Sequence, residues 1–258
     1  MERIRILGIA GSRRHANTEI GVREALVGAA ELPEVETEFY TMAGKKMNPC
    51  ACPTGHKCWT EGTADNPCPH WGLDDIVLLY KEMLTFDGFI MGSPVYMGGV
   101  SAQMKALWDR LSLMVYGRPP YMGLRNKVVG AVTVAGYRSG GQETTILEVW
   151  RLAITMDMVP VAVGPDLDER VCMWGGALTH DYSSEMDFHT AQVSGSPEEM
   201  TVVEGDERSL LSCRNTGRRV AEMARVIQAG FKSVPREATH WPVGAAGGVV
   251  EGGWQIQS

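Results

Sequence analysis

Short apolar runs alternate along this chain with longer segments in which apolar residues recur at helical spacing. Apolar runs bounded by turn residues are typical of strands, and the helical spacing is typical of amphipathic helices. Strands that alternate with helices indicate βαβ units and a parallel sheet. The pattern predicts strands over 4–10, 35–42, 88–92, 127–135 and 159–163 and helices over 17–30, 73–83, 101–115, 142–156 and 207–231.

Two internal stretches do not follow this pattern. Residues 43–72 are rich in Cys, Gly, Pro, Asn and His, and they are too long for an ordinary connection, which indicates a functional loop. Residues 164–205 show no period and are interpreted as an irregular insertion. We therefore expect one domain over 1–232 with these two insertions, followed by a C-terminal tail over 233–258.

Charge and composition narrow the possible partners. The 258 residues carry a formal net charge of −7, and no basic stripe with interleaved aromatic residues is present, which argues against nucleic acid. The first residues alternate charged and apolar side chains instead of forming the apolar core of a signal peptide. No run reaches the roughly 18 apolar residues of a membrane span. We expect a cytoplasmic protein that does not cross a membrane.

Three glycine-containing loops each follow a predicted strand and open a predicted helix. They span 11–18, 92–99 and 135–144. Because the carboxyl ends of parallel strands meet at one edge of a sheet, we expect these loops to converge on one ligand pocket. The first loop combines Gly11 with hydroxyl, amide and guanidinium side chains at a helix start, which suits a phosphate. It has neither the Gly-Lys-Ser/Thr of a P-loop nor the spaced glycines of a dinucleotide fingerprint.

Each of these features also has a plainer interpretation. Asn17 or its neighbour could simply cap a helix, and Tyr96 could be an ordinary half-buried aromatic residue. Lys105, Asp109 and Arg110 stand at the spacing of an intrahelical ion pair. The equivalent positions of the three loops in one sheet favour a shared site.

The order of the motifs carries a family resemblance. The chain reads Ile-Ala-Gly-Ser-Arg-Arg followed by Asn-Thr, then Gly-Ser-Pro-Val-Tyr-Met-Gly-Gly-Val-Ser-Ala-Gln-Met-Lys, then Gly-Gly-Gln-Glu-Thr. Over residues 3–163 and the last helix it resembles the NADPH-dependent FMN reductase family, nearest to the iron-sulfur flavoprotein branch. The resemblance implies a flavodoxin-like, doubly wound α/β fold with five parallel strands in the order 2-1-3-4-5, a cysteine-rich loop, a long C-terminal excursion and bound FMN.

The resemblance also assigns each loop to a part of the flavin. The first loop would hold the FMN phosphate, the second would flank the isoalloxazine ring, and the third would touch the ring edge. The cofactor-binding residues implied in this way are Ser12, Arg14, Asn17 and Thr18 in the first loop, Pro94, Val95, Tyr96, Met97 and Gly98 in the second, and Gly136, Arg138 and Gly140 in the third.

Four of the six cysteines crowd into the 43–72 loop. Cys50, Cys52, Cys58 and Cys68 are separated by one, five and nine residues. Four thiolates in one loop could hold a [4Fe-4S] cluster or a zinc ion. The iron-sulfur branch has tighter cysteine spacings than this chain. Free thiols that pack against or cap the flavin pocket are therefore the alternative interpretation.

The resemblance implies an FMN-dependent oxidoreductase that takes electrons from NAD(P)H. Its acceptor would be a small molecule such as a quinone, another aromatic compound, free flavin or a metal ion. Flavin hydride transfer needs no acid or base from the protein, so no catalytic residue is predicted. The alternatives are an iron-sulfur flavoprotein that carries electrons between protein partners and a flavin-free binding protein. A homo-oligomer, either a dimer or a tetramer, is also expected from the resemblance.

Overall fold

The fold is an α/β architecture in which strands and helices alternate along the chain. The computed structural model describes residues 3–53, 55, 57–63, 65–112, 123–137, 139–165, 172–179 and 206–234. The strands in these residues are β1 Ile4–Ala10, β2 Val35–Thr41, β3 Gly88–Pro94, β4 Val128–Ala135, β5 Val159–Pro160 and β6 Gly176–Thr179. The helices are α1 Asn17–Ala30, α2 Lys57–Thr60, α3 Asp75–Met83, α4 Ala102–Arg110, α5 Gln142–Thr155 and α6 Glu207–Ser233.

The strands form one parallel sheet, and its order β2-β1-β3-β4-β5 confirms the predicted 2-1-3-4-5 topology. The predicted fifth strand is shorter than expected and ends at Pro160. It pairs only with Val128 and Val129 at the start of β4. The rest of that edge, residues 132–135, pairs with β6. The stretch 164–205 therefore contributes a sixth strand that was not predicted, because Gly-Ala-Leu-Thr is too short to show a period.

Every residue of β3 and β4 is buried, because helices cover both faces of the sheet. On one face Phe89 and Met91 pack with Leu79 of α3 and with residues of α4 and α5. On the other face Ile90 packs with Val220 of α6 and with residues of α1. The near-continuous apolar runs of the sequence reflect this two-sided burial.

Two glycines allow α1 and α6 to touch through their backbones. A Cβ at Gly217 of α6 would lie 1.7 Å from Ala25 O, and a Cβ at Gly28 of α1 would lie 2.1 Å from Arg214 O. Any side chain at either position would collide with main-chain atoms, which cannot rotate away. These glycines set the distance between the two helices on this face.

Some predicted segments extend beyond the described residues. The predicted end of the 101–115 helix, most of the 164–205 insertion and the tail from 235 onward lie outside them. The division into a domain over 1–232 and a tail over 233–258 therefore stays a prediction. In the part of the chain that the structure covers, no helix combines the length and apolar character needed to cross a bilayer.

Candidate flavin site

The first loop lies directly against the end of β3. Gly11 N donates to Gly92 O at 2.7 Å, and Ser101 Oγ donates to Gly11 O at 2.5 Å. A Cβ at Gly11 would lie 2.8 Å from Met104 Cε and 2.9 Å from Gly92 O. Glycine is thus required at position 11 because no side chain fits between the loop, β3 and α4.

The start of α1 has the features of an anion site. The residue at its N-cap is Ala16, which makes no side-chain cap, so neither Asn17 nor Thr18 caps the helix. Asn17 is the first helical residue, and its Oδ1 is buried without a hydrogen-bond partner. Ser12 and Thr18 are buried beside it, and Ser12 Oγ accepts from Arg14 N at 3.1 Å. Main-chain amides at a helix start and the Nδ2 of a side-chain amide are hydrogen-bond donors, and such donors fit a phosphate group.

The second loop is a tight turn whose tip is exposed. Tyr96 N donates to Gly99 O at 3.0 Å, and Gly99 N donates to Tyr96 O at 3.1 Å. The two residues between them are left-handed, with φ of 50° at Met97 and 80° at Gly98. The Tyr96 side chain is 39% exposed and the Met97 side chain is fully exposed. A Cβ at Gly98 would meet nothing within 4 Å, so this side of the turn is open.

The third loop contacts the second. Gly141, with φ of 100°, is packed so closely that a Cβ would lie 3.2 Å from Val95 Cγ1 and 3.3 Å from Gly98 Cα. Gln142 fixes the loop from inside, since its Nε2 donates to Tyr137 O at 2.7 Å and its Oε1 accepts from Gly140 N at 2.9 Å. The second and third loops therefore form one continuous surface.

The structure thus brings the predicted cofactor residues onto loops that contact one another. Gly136 and Gly140 lie on the third loop, whereas Arg138 lies outside the described residues. Pro94 ends β3, and the amide of the next residue, Val95, donates to Val134 O at 2.8 Å, which ties the second loop to β4. Which of these residues touch FMN stays a prediction.

Sequence reasoning missed the residues that join the loops. Ser101 caps α4, and its amide donates to the buried Ser93 Oγ of the second loop at 2.9 Å. Its Oγ donates to Gly11 O of the first loop, so Ser101 links the two loops. Gln142 and Glu148 hold the second and third loops from α5. A serine just before a helical period was a readable capping signal for Ser101. No sequence signal pointed to Glu148.

The cysteine loop does not form a metal site in the described residues. Cys50 is exposed, Cys52 is half-buried, and Cys58 and Cys68 are buried. Burial, together with the charges of Cys52, Cys68 and Cys50, raises the pKa of Cys58 to about 11. In the part of the chain that is described, no group of three or more His, Cys, Asp or Glu side chains is placed to hold a metal ion.

A buried ion pair joins the end of α4 to the start of α3, beside the cysteine loop. Arg110, at the end of α4, binds both carboxylate oxygens of Asp74, with Nη2 3.0 Å from Oδ1. Arg110 Nη1 also lies 3.3 Å from Asn48 O, at the start of the cysteine loop. The predicted intrahelical pair is confirmed between Lys105 and Asp109, but Arg110 has a partner on another element.

A parallel sheet of this order with ligand loops at its carboxyl edge defines the class of flavodoxin-like α/β proteins. A solved WrbA-like flavodoxin from Agrobacterium tumefaciens has the same fold, with a TM-score of 0.52 at 18% identity over 88% of this chain and 99% of that chain.

Sequence comparisons then place the chain in a family. The model of the NADPH-dependent FMN reductase family matches residues 4–164, and the chain belongs to this family. An iron-sulfur flavoprotein of Methanocaldococcus jannaschii is 38% identical over 87% of this chain and 100% of the relative. An NAD(P)H dehydrogenase (quinone) of Caulobacter vibrioides is 28% identical over 60% of this chain and 72% of the relative. The predictions of FMN, of NAD(P)H as donor and of an oxidoreductase are thereby confirmed.

Proposed function

We propose that the protein passes electrons from NAD(P)H through FMN to a quinone-like or other small aromatic acceptor. The observation that carries this proposal is the apolar, exposed rim of the two joined loops. Met97 is fully exposed, Tyr137 is 70% exposed and Tyr96 is 39% exposed. Exposed aromatic and thioether groups around a ligand site suit a flat, apolar substrate. The relationship to a quinone dehydrogenase supports the same acceptor class.

In this proposal the residues of the chain bind, orient and shield the cofactor. FMN, when bound, accepts hydride from the nicotinamide and releases electrons to the second substrate. The α1 amides and Asn17 would hold its phosphate, residues 94–98 would flank its ring, and the third loop would meet the ring edge. The small-molecule acceptor, the homo-oligomer and the cytoplasmic location stay predictions.

Asn17→Ala is expected to weaken FMN binding about tenfold without destabilising the FMN-free protein. The buried Asn17 Oδ1 has no partner in the described structure, so its removal costs no protein hydrogen bond. Fluorescence titration of the apoprotein with FMN, together with thermal unfolding, measures both effects. Riboflavin is the matched ligand, and since it has no phosphate its affinity is expected to be the same for both proteins. An equal loss of riboflavin affinity would place Asn17 elsewhere on the cofactor.

Tyr137→Ser is expected to raise the KM for a benzoquinone three- to tenfold while FMN affinity and the KM for NADPH stay unchanged. The reason is that the mutation removes an exposed ring at the proposed acceptor mouth. Val226→Ser is the matched control, because it removes a 56%-exposed apolar side chain from α6, outside the three loops. Steady-state oxidation of NADPH measures all three parameters. An unchanged quinone KM in Tyr137→Ser would exclude this rim as the acceptor site.

A second candidate is an iron-sulfur flavoprotein that carries electrons between protein partners. The grouping of Cys50, Cys52, Cys58 and Cys68 in one loop favours it, as does the M. jannaschii relative of that name. Iron and acid-labile sulfide in anaerobically purified protein, near four of each per chain, would support a cluster. One zinc without sulfide would support a zinc site. The absence of both iron and zinc would show that the thiols bind no metal. If the protein contains a cluster and reduces quinone only slowly, the function of an electron carrier between proteins is favoured.

A further inference from the structure

The turn that carries Tyr96 and Met97 is held from outside by a carboxylate of α5. Glu148 Oε2 accepts a hydrogen bond from Val100 N at 2.9 Å. A Cβ at Gly99 would lie only 2.7 Å from the same oxygen. The carboxylate therefore lies directly against main-chain atoms of the turn, in space that exists because residue 99 has no side chain.

The turn needs such an external contact because its own conformation is strained. Met97 is a non-glycine residue with φ of 50°, a region that costs free energy for most side chains. The fully exposed Met97 side chain has no core to hold it in place. Two backbone hydrogen bonds close the turn at Tyr96 and Gly99, and beyond them the bond from Val100 to Glu148 joins it to α5.

The other partner of Glu148 is weaker. Arg151 Nη2 lies 3.8 Å from Glu148 Oε1, and the Arg151 side chain is 71% exposed. An exposed ion pair at this distance contributes little to stability. By contrast, a hydrogen bond from an amide to a carboxylate is charge-assisted and short, which makes it the stronger of the two contacts. The geometry therefore assigns the main role of Glu148 to the turn.

We infer that Glu148 is a positioning residue that fixes the 96–100 turn for the flavin ring without touching the flavin itself. The inference rests on the proposed function, in which residues 94–98 flank the isoalloxazine. Glu148 acts as a hydrogen-bond acceptor, so a glutamine at this position, which keeps an acceptor oxygen, preserves the role and an alanine abolishes it.

The test compares Glu148→Ala with Glu148→Gln, and Arg151→Gln serves as the control for the ion pair. Glu148→Ala is expected to speed amide hydrogen exchange over residues 96–100 about tenfold, to weaken FMN binding about fivefold and to lower kcat with little change in the KM for NADPH. Glu148→Gln and Arg151→Gln are expected to stay within about twofold of the unmodified protein in every measurement. Recovery of the visible circular dichroism of bound FMN in Glu148→Gln provides a spectroscopic check.

Two failures are distinguishable. Unchanged hydrogen exchange over 96–100 in Glu148→Ala would overturn the inference alone, since the carboxylate would not hold the turn. Faster exchange with unaltered FMN binding and kcat would overturn the proposed flavin position as well, since the turn would be loosened without effect on the cofactor. An equal loss in Glu148→Gln and Glu148→Ala would exclude the acceptor role.

Discussion

Gly217→Ala is expected to lower the free energy of unfolding by about 3 kcal/mol, although alanine is the better helix former. A Cβ at this position would lie 1.7 Å from Ala25 O and 2.9 Å from Ala29 N. Both atoms belong to the backbone of α1, so the overlap can be relieved only by moving α6 away from α1. That movement would open the buried cluster to which Val22 and Ala221 belong. Urea unfolding of the FMN-free protein measures the change.

Gly230→Ala is the matched control on the same helix. A Cβ at Gly230 would meet nothing within 4 Å, so only helix propensity acts there. Alanine is expected to raise stability by up to about 1 kcal/mol at this position. The two substitutions are chemically identical and should therefore act with opposite signs. A stabilising effect at both glycines would contradict the close α1–α6 contact described above.

The sequence predicts those parts of the fold in which local pattern and tertiary burial agree. β4 is apolar except for Thr133, and it is buried on both faces as its composition indicates. The predicted helix over 73–83 is present as α3, and it begins two residues later because Asp74 caps it by accepting from Val77 N at 3.1 Å. The short strands β5 and β6 divide one edge of β4, and no local pattern encodes which strand lies beside which half of an edge.

The loops of the candidate site were predictable, but the contacts that join them were not. Glycines and hydroxyl side chains after each strand indicate ligand loops, and this indication does not depend on which residues hold the loops in place. Glu148, in contrast, holds Val100 across 48 residues of sequence. A glutamate on an amphipathic helix has the same pattern whether it faces solvent or a turn, so only the fold reveals its role.

The partner of Arg110 shows the same limit. Its spacing from Lys105 and Asp109 indicated an intrahelical pair, and this interpretation was correct for those two residues. Arg110 lies one position further along, and that rotation around the helix turns its side chain inward to Asp74, the N-cap of α3. Helical spacing predicts which residues share a face, but it does not tell which face is buried.

Asp74→Asn is expected to lower the free energy of unfolding by about 3 kcal/mol at neutral pH. The Arg110 side chain is 2% exposed and the Asp74 side chain 9% exposed, so the mutation leaves a buried guanidinium without its counter-charge. Asparagine has a similar shape and can still cap α3, so the mutation removes the negative charge without removing the helix cap. Denaturant unfolding of both proteins measures the difference.

The pH dependence gives an independent check of this ion pair. Burial by itself would raise the pKa of Asp74, but hydrogen bonds from Arg110 and from Val77 N, together with the charge of Arg110, hold it below the ordinary value of 3.8. A carboxyl with a lowered pKa in the folded state stabilises the fold fully above its unfolded pKa. That contribution disappears as the pH falls through the folded pKa. The stability gap between the unmodified protein and Asp74→Asn is therefore expected to be constant near neutrality and to narrow below about pH 4.

Asp109→Asn is the matched control, since it breaks a carboxylate–cation pair on the same helix α4. Lys105 and Asp109 are 42% and 46% exposed, so water solvates both charges and the loss is expected to stay within about 0.5 kcal/mol. Because Arg110 also contacts Asn48 O, the Asp74 variant should in addition loosen the cysteine loop, with faster thiol labelling of the buried Cys68. Two results would contradict a stabilising Asp74–Arg110 ion pair. One is an equal loss of unfolding free energy in Asp74→Asn and Asp109→Asn, and the other is a stability gap that does not depend on pH.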